Sequence, residues 1–167
     1  WNEQLSELGA IIIKKRLDVL TELKVFAAEK HRILSQEEQL DLCYESFLPE
    51  SQMQQMTVEE IKDALFMVLK NKIIIEKKAA VSVLGPHRDD LSIFINQKSA
   101  RNFASQGQQK SCAIALKLAE LALAEQKKGE KPVLLLDDVM SELDSGRQEC
   151  LLSLLKRDIQ TFITDTK

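Results

Sequence analysis

Glycine and proline are scarce: five and three in 167 residues, and before Gly85 only Gly9 and Pro49 interrupt the chain. So few breakers predict a mostly helical first half. Cysteine is scarce too, and odd in number. Cys43, Cys112 and Cys150 lie far apart without metal-ligand spacing, which argues against a disulfide framework or a thiolate metal site and reads as reduced, mostly buried thiols of a cytoplasmic protein. No run approaches the ~20 apolar residues of a membrane span, and no signal peptide opens the chain. A dominant charge is missing as well. The net charge is -3 and the pI about 5.5, so any DNA contact must be a local patch rather than a basic domain. No basic stripe with interleaved aromatics appears.

What the chain does have is 44% hydrophobic and 29% charged residues, enough for one good core or a modest core with an appendage. From Trp1 to about Ile33, Leu5, Leu8, Ile12, Leu20, Leu23 and Ala27 recur at mostly helical spacing. They predict one long amphipathic helix, bent near Gly9, that serves as an arm or a core face. Its Lys14-Lys15-Arg16 cluster reads as a solvated face, with a DNA-facing patch as the alternative. Leu40, Leu42 and Tyr44 alternate with polar residues as in a half-buried strand. A polar link from Pro49 to Gln55 leads to Thr57-Val58-Glu59-Glu60, a capping box that opens a helix through Ile61, Leu65, Val68 and Leu69. Gly85-Pro86-His87-Arg88-Asp89-Asp90 marks a composition shift and the expected domain boundary, with residues 1–84 a helical arm subdomain and 85–167 an α/β lobe. His87 and Arg88 are candidates for a phosphate or interface contact; the alternative is a rigid connector whose charges satisfy one another. Leu91, Ile93 and Ile95 then alternate as a strand that ends in a turn near Asn96-Gln97.

Two motifs follow. Ser105-Gln106-Gly107-Gln108-Gln109-Lys110 opens an apolar helix that runs to Leu123. First-turn N–H groups, the positive helix end, a hydroxyl and a glycine permitting close approach together form an anion site; an ordinary serine N-cap is the alternative. After a lysine-rich turn, residues 133–144 read VLLLDDVMSELD. The four apolar residues predict a buried parallel strand, with Asp137 and Asp138 at its carboxyl end, where open α/β sheets bind ligands. One such carboxylate can hold Mg²⁺ while the other orients or deprotonates an attacking water. Both can equally be cap or turn residues. Asp144 is a candidate N-cap for a helix from Gln148 to Leu155, and Gln160 to Thr164 reads as a final strand. The predicted fold class is α/β, parallel strands with flanking helices, plus a mainly helical arm.

In this order, and separated by one helix, the two motifs resemble those of ABC-type ATPases: SQGQQK the signature motif, LLLDDVMSELD the Walker B strand and D-loop. Within that superfamily GPHRDDL, ASQGQQKS, KLAE (Lys117 to Glu120), LLLDDVMSELD and TFIT resemble the RecF family of bacterial recombination mediators. The opening WNEQL and its helix resemble the start of the RecF arm. The resemblance implies an ABC-ATPase-like lobe in which Asp137 is the Walker B Mg²⁺ acid. Asp138 would be the catalytic carboxylate, where most ABC ATPases carry glutamate, and hydrolysis would be weak. Ser105, Gln106, Gly107 and Gln108 would contact the γ-phosphate of ATP held by a second protomer, with Ser141 and Asp144 of the D-loop across the same interface. The implied mechanism is an ATP-dependent homodimer that clamps double-stranded, gapped or junction DNA and opens on hydrolysis. It would act in replication, recombination and SOS repair, loading recombinase with RecO- and RecR-like partners.

Two departures stand beside the resemblance. No G-x-x-x-x-G-K-[ST] is present, so the loop that cradles phosphates is missing. In this architecture that loop precedes the arm, which together with a first residue Trp1 predicts a carboxyl-terminal fragment that is inactive alone and binds ATP very weakly. The second departure is Thr164-Asp165-Thr166, which stands where many ABC ATPases place a switch histidine. Two other readings are kept: the head of another SMC-like repair ATPase such as RecN, and a non-enzymatic interaction module whose acid pair caps a turn.

Overall fold

A computed structural model describes residues 1–35, 38–140, 143–155 and 160–164. Helix α1 (Asn2–Ser35) runs 34 residues without a break. Gly9, where a bend was expected, lies inside this continuous helix and is a point of close contact. A methyl group there would lie 3.0 Å from Leu65 Cδ2 and 3.3 Å from Pro86 Cδ, so these side chains would have to give way by a few tenths of an ångström. Strand β1 (Leu40–Glu45) buries Leu40, Leu42 and Tyr44 on one face, as the alternation predicts. The stretch read as a polar link contains a short helix, α2 (Glu50–Gln54). Its cause lies in Glu50, a buried carboxylate that accepts from the Tyr44 N–H at 2.7 Å and from Gln54 Nε2 at 2.7 Å, pinning the turn to β1.

Thr57 caps α3 (Val58–Ala79) through the expected capping box, its hydroxyl accepting from the Glu60 N–H while the Glu60 carboxylate accepts from the Thr57 N–H. Ile61, Leu65 and Leu69, one turn apart, are fully buried on this helix. Each contributes about 1.5–3 kcal/mol of apolar burial. Strand β2 (Asp90–Ile95) turns through Asn96 and Gln97 into the antiparallel β3 (Lys98–Ser99), and the sheet order is β1-β2-β3. Asn96 and Gln97 have φ of 48° and 65°, the pair of left-handed residues that a two-residue hairpin turn with the native twist requires.

Helix α4 (Ala100–Phe103) precedes α5 (Gln106–Lys128), which ends on Gly129 at φ 70°. Strand β4 (Leu134–Leu136) pairs in parallel with β5 (Thr161–Ile163), and α6 (Ser145–Leu155) lies between them in sequence. The parallel pairing meets the expectation; burial on both faces does not. Leu134 and Leu136 are buried, but Leu135 is 72% and Phe162 53% exposed. The described sheet is only two strands wide, so one of its faces carries no layer.

The chain forms two compact units, Trp1–Thr21 with Cys43–Ser92 and Glu22–Leu42 with Ile93–Lys167. The first has its core on Ala10, Ile13 and Leu17 of α1, Met53, and the buried face of α3. The second buries Ala27, His31 and Leu34 of α1, one side of α5, Leu134 and Leu136 of β4, and Leu151 and Leu155 of α6. No helix among the described residues is long and apolar enough to cross a membrane.

Candidate functional site

The second unit holds the two motifs. At the start of α5, Ser105 and Gln108 form a reciprocal cap. Ser105 Oγ accepts from the Gln108 N–H at 3.2 Å, and Gln108 Oε1 accepts from the Ser105 N–H at 2.8 Å. A hydroxyl that accepts from the helix keeps its own proton for another acceptor. The N–H groups of Gln106 and Gly107 have no carbonyl four residues back within the helix, so the turn presents two donors, a hydroxyl and the positive helix end together. The Gln108 amide is held elsewhere. Its Nε2 donates to Glu38 Oε1 at 2.7 Å, which ties the turn to the segment just before β1.

Beneath this turn lies a charged and polar cluster. His31 is fully buried, its Nε2 3.5 Å from Glu38 Oε2 without hydrogen-bond alignment and its Nδ1 4.0 Å from Cys112 Sγ. Burial holds the imidazole below its ordinary pKa; Glu38 and a backbone hydrogen bond with Ser111 oppose that shift, and Arg147 adds to it. Burial also pushes the Cys112 thiol up to about 11, so it is an inert packing group. Gly107 is where the turn meets α6. A Cβ on it would lie 2.5 Å from Arg147 Nη1, so only glycine lets the guanidinium rest against the helix start. Arg147 is in turn held by Asp144, which caps α6 by accepting from the Arg147 N–H at 3.0 Å and lies 3.5 Å from its Nε.

The acid pair stands at the end of β4. Thr164, just past β5, donates its hydroxyl to Asp137 Oδ1 and accepts from the Asp138 N–H through both its Oγ1 and its carbonyl, each at 3.2 Å. Its own N–H donates to the Leu136 carbonyl at 2.9 Å. One residue thus closes the parallel ladder, orients the Asp137 carboxylate and fixes the Asp138 backbone. Asp138 has φ 51°, a left-handed backbone that costs a residue with a Cβ about 1–2 kcal/mol and that aspartate tolerates better than most. Asp137 is exposed and Asp138 half-buried. Among the described residues no group of three or more His, Cys, Asp or Glu is arranged to hold a metal ion.

Ser141 and Asp165 lie outside the described residues. His87 and Arg88 belong to the first unit. His87 is exposed and lines an apolar groove of about 600 Å³ with Trp1, Leu5, Leu8, Ile12 and Pro86. Arg88 Nε donates to the Ser82 carbonyl at 2.9 Å, and its N–H to the Gly85 carbonyl at 2.8 Å. Sequence reasoning missed Glu38 and Arg147 and gave Thr164 no role toward the acids. Glu38 is 70 positions from Gln108, and nothing local marks either it or Arg147. The available hint was Gly107 itself, two residues past a capping serine where a helix former costs less.

No family model matches the chain. Curated relatives do. It is 42% identical over 171 residues to the DNA replication and repair protein RecF of Halothermothrix orenii, covering 99% of this chain and 44% of the relative. It is 45% identical over 167 residues to the protein of the same name from Thermosynechococcus vestitus, covering 99% and 43%. Among solved structures it is similar to the recombination mediator protein RecF-ATP of the RecFOR pathway, with TM-score 0.83 and 36% identity over 99% of this chain and 44% of that one. A RecF-ATPrS structure from the same pathway matches equally well. The chain spans less than half the length of the relatives it matches.

Proposed function

Because the chain is a RecF-family sequence along 99% of its length, we propose that it supplies the signature and Walker B half of a RecF-like DNA repair ATPase, whose activity belongs to a longer protein. The division of roles follows the motifs rather than the compact units: residues 1–84 serve as the arm, residues 85–167 as part of the ATPase head. The exposed apolar face of β4 and β5 fits this reading, since a layer packed on it in a longer protein would cover it.

Asp137 is the residue to hold Mg²⁺. An exposed carboxylate whose other contact is a hydroxyl suits this ion, which takes one or two carboxylates and completes its shell with water and phosphate oxygens. When bound, the ion neutralises charge on the transferred phosphoryl group. Asp138 orients the attacking water or takes its proton, from a backbone fixed by Thr164. The Ser105 hydroxyl and the N–H groups of Gln106 and Gly107 bind the γ-phosphate of ATP carried by a second copy, which makes nucleotide the bond of a homodimer. Gln108 acts here by holding the turn, since both ends of its amide are engaged. Asp144 lies across the same interface as a D-loop residue. The dimer acts on double-stranded, gapped or junction DNA with RecO- and RecR-like partners, a setting taken from the RecFOR pathway of the structural relatives. Arg88 spends its Nε on the Ser82 carbonyl and keeps its other guanidinium donors, so His87 and Arg88 stay candidates for an interface or phosphate contact.

The observation that carries the proposal is the Ser105 cap, exposed and with first-turn N–H groups that have no carbonyl inside the helix, in a chain so similar to RecF. In the full-length protein, Ser105→Arg is expected to abolish ATP-dependent dimerisation in sedimentation, and Asp137→Ala to lower ATP turnover by about a hundredfold or more. Residues 1–167 alone are expected to bind ATP too weakly for calorimetry. Micromolar affinity there, or wild-type dimerisation by Ser105→Arg, would refute a γ-phosphate contact made in trans.

A further inference from the structure

We propose that Arg147 is a positioning residue that couples the Asp144 carboxylate to the signature glycine, so that the two elements facing the second copy's nucleotide move as one. This rests on the reading of the Ser105 turn given above. Three observations carry it. A Cβ at Gly107 would come within 2.5 Å of Arg147 Nη1, so the guanidinium fills the space beside the α5 turn. The same side chain reaches Asp144 with Nε 3.5 Å from Oδ2, while the Arg147 N–H donates to Asp144 Oδ1 at 3.0 Å. Its side chain is 20% exposed against 62% for Asp144, so the arginine is largely enclosed and the aspartate faces outward.

The chemistry selects arginine. A planar guanidinium can lie flat against a glycine backbone and offer a second edge to a carboxylate, which a lysine ammonium cannot do. Gly107 and Asp144 are 37 positions apart, on different helices. With Arg147 between them, a shift of the α6 cap moves the turn that carries Ser105, and ATP engaged by that turn restrains Asp144 in return. Its positive charge beside the α5 start also favours an anion there, yet its link to Asp144 makes its first task geometric.

The test uses the full-length protein and compares Arg147→Ala, Arg147→Lys, Gly107→Ala and the Arg147→Ala/Gly107→Ala double variant. Arg147→Ala is expected to raise the ATP concentration for half-maximal dimerisation about tenfold and to lower kcat by a similar factor. ATP affinity of the monomeric protein stays unchanged, because the pair acts on nucleotide held by the other copy. Arg147→Lys recovers part of the loss. Gly107→Ala, which displaces the guanidinium, gives the same defect, and the double variant is no worse than Gly107→Ala. If Arg147→Ala lowers thermal stability while leaving the ATP dependence of dimerisation unchanged, the residue is structural only and the proposal fails. Additive defects in the double variant overturn it as well. Wild-type behaviour of Arg147→Ala alongside loss of dimerisation in Ser105→Arg removes this inference alone; wild-type behaviour of Ser105→Arg removes the reading beneath it.

Discussion

The turns at residues 85–90 and 105–108 are each built around a glycine with polar neighbours, and they use those neighbours differently. In the first, the Pro86 carbonyl accepts from Arg16 Nη1 at 2.6 Å, the Tyr44 hydroxyl donates to Asp89, and Arg88 donates to Ser82. The Asp89 side chain is only 4% exposed. Burial and its bond to Asp89 push the Tyr44 phenol up to about 12, so it remains a donor at any physiological pH. In the second turn the bonds run from Gln108 to Ser105 and Glu38, and leave an exposed Ser105 with its hydroxyl proton and the Gln106 and Gly107 N–H groups without a carbonyl inside the helix. A cluster that closes on itself stabilises its unit; one that closes on a single side can hold a ligand on the other.

Three perturbations test that contrast. The largest effect is expected from Asp89→Ala, which leaves the Tyr44 hydroxyl and Arg16 without their buried acceptor. It should cost about 2–3 kcal/mol in urea unfolding, with no change in the ATP concentration for half-maximal dimerisation of the full-length protein. A specific dimerisation defect would show that the first turn is not merely structural. Next is Glu38→Ala, which removes a charge-assisted bond to Gln108. It should cost about 1–2 kcal/mol and also weaken ATP-dependent dimerisation, because the amide that braces the Ser105 cap comes loose. Equal stability loss with normal dimerisation would place Glu38 with the closed kind of cluster.

The smallest effect is a pH dependence centred on His31. Its imidazole binds a proton less readily folded than unfolded, so acid favours the unfolded chain. The stability it contributes is complete above the ordinary histidine range and falls as pH drops below about 6.5, by at most about 1.4 kcal/mol per pH unit. Glu38, which faces the ring, works against the trend, while Arg147 reinforces it and Cys112 remains neutral. Urea midpoints at pH 7.5 and 5.5 should differ less in His31→Leu than in the wild-type chain. An unchanged difference would remove His31 as the source.

Much of this was legible in the sequence because it is local. The Thr57 and Ser105 caps, the alternation of Leu40, Leu42 and Tyr44, the turn at Asn96-Gln97, and the strand that ends in Asp137 and Asp138 each follow from residues within a few positions of one another. Thr164 could be placed at a strand end, but its hold on the Asp137 carboxylate and the Asp138 backbone depends on a parallel pairing across 27 positions. Glu38 and Arg147 were hidden for the same reason. The short helix at Glu50–Gln54 escaped because a buried carboxylate reads as a solvent residue until its partner, the Tyr44 N–H, is known. The face of β4 was misjudged because a continuous apolar run cannot say whether one side of a strand or both are covered.

The left-handed backbone at Asp138 also bears on how this position can change over evolutionary time. Residues that settle into such a conformation at low cost are few: glycine, asparagine and aspartate, with the longer acid at a disadvantage. Drift toward glutamate therefore runs uphill here, independently of any effect on chemistry. Asparagine, one atom exchanged, meets no such slope. The backbone makes an inert carboxamide the easiest neighbour of an acid, so a strand end of this shape is poised to lose its charge without losing its form.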